Sequence, residues 1–130
     1  MIDHIGLAVS DLARSRAFYE AALAPLGASL QMEVAEETTG GHGADLGFGV
    51  KDNPLFWIGT GRAASTGVHV AFSTKDRATV DAFHAAALAA GGRDNGAPGL
   101  RPEYHPTYYG AFVLDPDGNN VEAVFHGVPS

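Results

Sequence analysis

HIGLAVSDLARSRAFYEAALAPLG, residues 4–27, and GVHVAFSTKDRATVDAFHAAALAAGG, residues 67–92, carry one pattern twice. In the first, residues 2–9 are rich in apolar and β-branched types and read as a strand. Asp11 then stands where a helix N-cap belongs, ahead of Leu12 to Leu26, and Gly27 closes the helix. In the second, Gly67 to Phe72 reads as a strand. Ser73 with Asp76 has capping-box character, and Val80, Phe83, Ala87 and Ala90 share one face of the helix that follows. Gly91 and Gly92 stop it. A slide of 65 residues lays His4 on His69, Phe18 on Phe83 and Gly27 on Gly92, so an internal repeat is the simplest account.

Working outward, Leu30, Met32 and Val34 alternate with polar residues, as do Ala44, Leu46, Phe48 and Val50 after the Gly40–Gly41 break; each run predicts a half-buried strand. A turn at Lys51-Asp52-Asn53-Pro54 leads into Leu55-Phe56-Trp57-Ile58, and the half reads β-α-β-β-β. In the second half, residues 92–107 are rich in Gly, Pro and Asn and leave room for one short or irregular strand. Residues 108–114 read as a strand, Asp115-Pro116-Asp117-Gly118 as a type I turn, and Asn119 to Phe125 as the returning strand of a hairpin. The expectation is an α+β protein: one domain over residues 1–130 that contains a repeat at 1–60 and 66–127.

The chain has 130 residues, 45% hydrophobic and 18% charged, which suits one core and argues against disorder. A net charge of −7 leaves no basic stripe for a phosphate backbone or an anionic lipid surface, so neither nucleic acid nor membrane is expected as a partner. With no leader-like segment and no apolar run long enough to span a bilayer, the expected location is the cytoplasm. There is no cysteine, so thiolate ligands and cysteine nucleophiles are excluded and any metal must be held by His, Asp or Glu.

Alternation along the strands sorts those candidates. Ile5, Leu7 and Val9 form the bulky face that packs under a helix, while His4, Gly6 and Ala8 lie opposite. Val68, Val70 and Phe72 oppose His69 and Ala71; Val121, Ala123 and Phe125 oppose Glu122. Histidines flanked by tiny residues on the face away from the helix suggest a cavity. Two imidazoles and one carboxylate form a ligand set for a divalent ion such as Zn, Mn, Fe or Ni. On these grounds His4, His69 and Glu122 are the candidate metal ligands.

At 4–27, 67–72 and 115–126 (DPDGNNVEAVFH) the sequence resembles the vicinal-oxygen-chelate superfamily, which includes glyoxalase I, extradiol dioxygenases, fosfomycin-inactivating thiol transferases and the metal-free bleomycin-resistance proteins. The resemblance covers nearly the whole chain. It implies two βαβββ modules whose mixed sheets curl into an open metal-binding cleft, ligands on the first and last strands of the modules, a small-molecule substrate and a homodimer. It also implies a metalloenzyme, a lyase, isomerase or dioxygenase acting on a molecule that chelates through adjacent oxygens, with a binding protein of the bleomycin-resistance type as the alternative. One position departs from glyoxalase I: the offset of 65 places Trp57 where a fourth, carboxylate ligand would stand, so a three-ligand site is expected. The few basic residues are scattered, which counts against a strongly anionic substrate.

Other titratable residues are weighed separately. His42, in a Gly-rich connector, and His84, on the second helix near Asp81, are read as solvated, and His126 as a surface residue at a strand end. The cluster Tyr104-His105-Pro106-Thr107-Tyr108-Tyr109 stays open between loop packing and a functional role. Trp57, His105, Tyr108 and Tyr109 are the candidate substrate-lining residues. The general base is not assigned.

Overall fold

The computed structural model describes residues 1–127; the last three residues of the expected domain lie outside the described part. The first module runs β1 (Ile5–Ala8), α1 (Leu12–Leu23), β2 (Ser29–Val34), β3 (Asp45–Val50) and β4 (Asn53–Gly59). The second runs β5 (His69–Ser73), α2 (Arg77–Ala89), β6 (Arg93–Leu100), β7 (Tyr109–Leu114) and β8 (Asn120–Phe125). Each module forms its own four-stranded mixed sheet, in the orders β1-β4-β3-β2 and β5-β8-β7-β6. The protein is therefore α+β, with sheets that do not close on one another. β1 and β5 are edge strands.

Local chemistry explains the boundaries. Asp11 accepts the Arg14 amide at 3.1 Å and Asp76 the Thr79 amide at 2.7 Å, so each helix begins on an aspartate N-cap. The cap of α2 is thus Asp76 alone, since Ser73 is spent as the last residue of β5. α1 stops at Leu23, earlier than the pattern suggested, because Pro25 has no amide hydrogen to continue the ladder. A 3₁₀ turn, Ala24–Leu26, carries the chain to Gly27 at φ 80°. The β3–β4 turn is tighter than expected. Lys51 and Asp52 take left-handed φ values of 49° and 61°, which makes a two-residue primed hairpin and returns Asn53 and Pro54 to the strand. β6 is longer than expected, yet its pairing with β7 shifts register at Asp94/Gly96 and again at Gly96/Gly99.

The core lies where the two helices meet the inner faces of both sheets. Phe18, Tyr19, Phe48, Phe56, Phe83 and Val121 are fully buried there. Each such side chain removed from water contributes about 1.5–3 kcal/mol. Tyr19 is fully buried in the core, and its hydroxyl donates to Asp115 at 2.5 Å. Asp115 also accepts the Asp117 and Asn119 amides, each at 2.9 Å, and the Asn119 side chain. Burial first, then the Asp115 carboxylate, pushes the Tyr19 phenol far above its ordinary pKa, so it stays a donor. Ser10 Oγ donates to Asp117 at 2.5 Å. The DPDG turn of the second module is in this way fastened beneath the first.

His84, expected to be solvated, is instead largely buried and bonds Asp94 at 3.0 Å, joining α2 to β6, while its helix neighbour Asp81 takes the Tyr109 hydroxyl. His42 is exposed, as expected. Among the described residues no helix is long and apolar enough to cross a membrane.

Candidate functional site

The register of the two sheets is the same. In the first module Gly6 of β1 pairs with Trp57 of β4; in the second Ala71 of β5 pairs with Glu122 of β8. Trp57 and Glu122 therefore occupy equivalent positions, with no insertion between them. The same ladders set Gly47 opposite Trp57 and Phe112 opposite Glu122.

Glu122 is fully buried, although its strand face was expected to border an open cavity. Its burial has a visible cause. Tyr108 donates its hydroxyl to one carboxylate oxygen, and His69 Nε2 lies 2.7 Å from the other. With the carboxylate as acceptor, the His69 Nε2–H tautomer completes that bond. Gly110 makes the approach feasible: a Cβ there would meet Glu122 Oε2 at 3.1 Å and the Tyr108 ring at 3.2 Å. Burial, followed by the Glu122 hydrogen bond, holds the Tyr108 phenol well above its ordinary pKa, so it remains protonated and donating. His69 itself is half open to solvent, with its ring 6.0 Å from that of Phe112.

His4 stands apart. Its Nδ1 bonds Asp3 at 2.7 Å, and both side chains are largely exposed. His4 and His69 border a common groove of about 540 Å³ that runs between the β1 and β5 edges. Within one chain, among the described residues, no three His, Asp or Glu side chains converge closely enough to hold a metal ion. The donor chemistry of His69 and Glu122 nevertheless fits a divalent ion in kind: one imidazole with an accessible nitrogen beside one buried carboxylate, steadied by a phenol. A protein set of at least three needs one more donor from elsewhere.

The remaining candidates divide. Tyr108 faces Glu122, but Tyr109 does not line the site: alternation turns it to the helix side, where its hydroxyl meets Asp81 at 2.6 Å and Arg77 lies over its ring. His105 bonds His126 nitrogen to nitrogen at 2.9 Å, and both rings sit edge-on to Tyr108. His126 is exposed at the end of β8, as expected, and the bond to His105 ties it to the site's rim. Trp57 lines an open cleft of about 450 Å³ that shares His4 with the groove, together with Gly6, Val34, Asp45 and Arg62. Asp45, Arg62 and Gly110 escaped the sequence reading. Asp45 could have been found by counting back two from Gly47, since both share Trp57's face.

The comparisons agree with this architecture. Residues 1–123 match the Glyoxalase/Bleomycin resistance protein/Dioxygenase superfamily, and the chain belongs to that family. A glyoxalase/bleomycin resistance protein from Albidiferax ferrireducens T118 is similar at 30% identity and TM-score 0.70, over 95% of this chain and 96% of that one. Glyoxalase I from Zea mays is similar at 25% identity and TM-score 0.72, over 95% of this chain but 45% of that one. A glyoxylase/bleomycin resistance protein/dioxygenase domain from Frankia sp. EAN1pec, at 16% identity and TM-score 0.72, shares the fold. The chain matches no curated protein.

Proposed function

We propose that the protein is a metal-dependent lyase, isomerase or dioxygenase for a small molecule that presents two adjacent oxygens, and that its site is completed by a homodimer. The observation that carries this reading is the His69–Glu122 pair, 2.7 Å apart at the strand positions where the family resemblance puts ligands. His4, exposed just ahead of edge strand β1 and in no three-ligand cluster with that pair in its own chain, would complete the set by serving the His69–Glu122 pair of a second copy. Such an arrangement gives two sites per dimer and covers the β1 and β5 edges.

A bound divalent ion would supply Lewis acidity toward paired substrate oxygens. The chain's own residues then have definite tasks. His69, freed of its Nε2 proton, and Glu122 would orient the substrate by fixing the ion; Tyr108 would keep the Glu122 carboxylate in place through a hydrogen bond that burial preserves. Trp57, standing where glyoxalase I would have a carboxylate, leaves more room for substrate oxygens and argues against efficient isomerisation of a glutathione hemithioacetal. A metal-free binding protein is the second reading, favoured by the fact that Glu122 already has both oxygens satisfied.

The test is complementation. His4→Ala and Glu122→Gln, each purified alone, should bind no Zn(II); mixed and re-paired, they should regain it, because a mixed dimer restores one whole site. Recovery absent while wild type binds would exclude a shared site. No metal uptake by wild type, with melting unmoved by Zn(II), Mn(II), Ni(II) or Fe(II), would leave the binding-protein reading. Robust turnover of the methylglyoxal–glutathione adduct that survives Trp57→Ala would overturn the preference against glyoxalase chemistry.

A further inference from the structure

The open face of the first module has a floor built by glycines. Gly47 has no side chain where Trp57 crosses it: a Cβ there would come within 2.9 Å of the six-membered ring of the indole. Gly59 does the same for Asp45, whose Oδ1 would lie 2.0 Å from an added Cβ. Both side chains therefore lie down along the sheet instead of standing up from it, and the half-buried indole borders the cleft. Pro54 Cβ closes in on the position over Gly47 as well, 2.8 Å from where a Cβ would stand.

Around that floor are Arg62, His4 and Asp45. Among the described residues neither the Arg62 guanidinium nor the Asp45 carboxylate has a hydrogen-bond or ion-pair partner, although both border the same cleft of about 450 Å³. That volume is within the ~300–1,000 Å³ typical of small-molecule sites. Aromatic faces bind planar rings by offset stacking, and a guanidinium pairs with a carboxylate through two parallel hydrogen bonds. A free carboxylate, in turn, selects a donor.

We propose that this face is a subsite for a planar aromatic acid, with its ring on Trp57, its carboxylate on Arg62 and a ring hydroxyl or amine donating to Asp45. The inference rests on the small-molecule reading above and names its substrate class, but it does not need the metal. It also revises the expectation of a substrate without strong charge, because Arg62 supplies a local cation that composition could not place.

Trp57 is the chain's one tryptophan, so intrinsic fluorescence reports this cleft directly. EDTA-treated wild type is titrated with 4-hydroxybenzoate, benzoate, phenol and cyclohexanecarboxylate. Saturable quenching is expected with 4-hydroxybenzoate, weaker binding with benzoate and phenol, and none with the saturated ring. Arg62→Gln should weaken 4-hydroxybenzoate at least tenfold, and Asp45→Asn should erase its advantage over benzoate. Saturation-transfer NMR from protein to ring protons gives a readout independent of the indole, and Trp57→Ala should abolish it. Equal binding of the saturated ring, no saturation at millimolar ligand, or indifference to Arg62→Gln in protein that melts as wild type would overturn the proposal. Reloading the same sample with Zn(II) separates the two failures: ring binding lost with metal uptake intact sinks this subsite alone, and the converse sinks the metal site alone.

Discussion

The two modules share one register and use it oppositely. At the position next to the edge strand the first carries Trp57 and the second Glu122; across the ladder the first has Gly47 and the second Phe112. Large and small have been exchanged within the same cross-strand pair. Where the partner is glycine, a broad indole lies flat and the face stays open. Where the partner is phenylalanine, the acid is fully buried and is met by donors from Tyr108 and His69. The two frames are equivalent in strand order and register, and a few residues make one a platform and the other a polar pocket.

The largest effect expected from breaking this comparison is at the joint between the halves. Asp115→Ala strands the Tyr19 hydroxyl and the turn amides, and should cost about 3 kcal/mol in urea unfolding. Tyr19→Phe, which leaves the other donors in place, should cost about half of that. Unfolding in two separate transitions in wild type would mean that the modules are not coupled through this joint.

Next comes the ligand asymmetry. Glu122→Gln should lower metal affinity by at least about 100-fold with little change of fold, since the amide preserves volume but not charge. Trp57→Gln at the equivalent position should leave metal affinity within a fewfold. Equal losses by calorimetry would show that the two positions are not specialised. Tyr108→Phe should have a smaller effect, roughly tenfold in affinity, as is usual when a group that positions a ligand is removed.

The smallest difference lies at the helix starts. The hydrogen bond from Thr79 depresses the Asp76 carboxyl below its ordinary pKa. A depressed carboxyl adds stability that is complete above its unfolded pKa and is lost as pH falls through the lower folded value. Asp76→Asn should therefore flatten the acid limb of the stability curve slightly, and less so in high salt because the site is exposed. An unchanged acid limb would remove Asp76 from the account.

Much of the fold was legible in the sequence because periodicity and breakers state it locally: Asp11, Gly27 and the DPDG turn each act within a few residues. β6 was not, because its glycines and proline mask alternation and its pairing is set by β7 with two register shifts. In the candidate site, face and offset led to His4, His69 and Glu122 together; within one chain, among the described residues, His69 and Glu122 meet and His4 does not join them. Gly110 and the tilt of Trp57 and Asp45 could not, since a glycine's role there depends on what leans across it. The sense of Tyr109 was recoverable by parity from Tyr108, but only once the start of β7 was known.

The bond from Tyr19 to Asp115 spans 96 residues of chain. During synthesis the phenol leaves the ribosome long before its acceptor exists, and α1 can bury its ring only by leaving that hydroxyl wet or unpaired. The N-terminal half therefore has no finished interior of its own until the last hairpin arrives. Commitment to the native state waits on a turn of four residues, and a ribosome stalled before Asp115 would hold a half-assembled chain with its aromatic core still open.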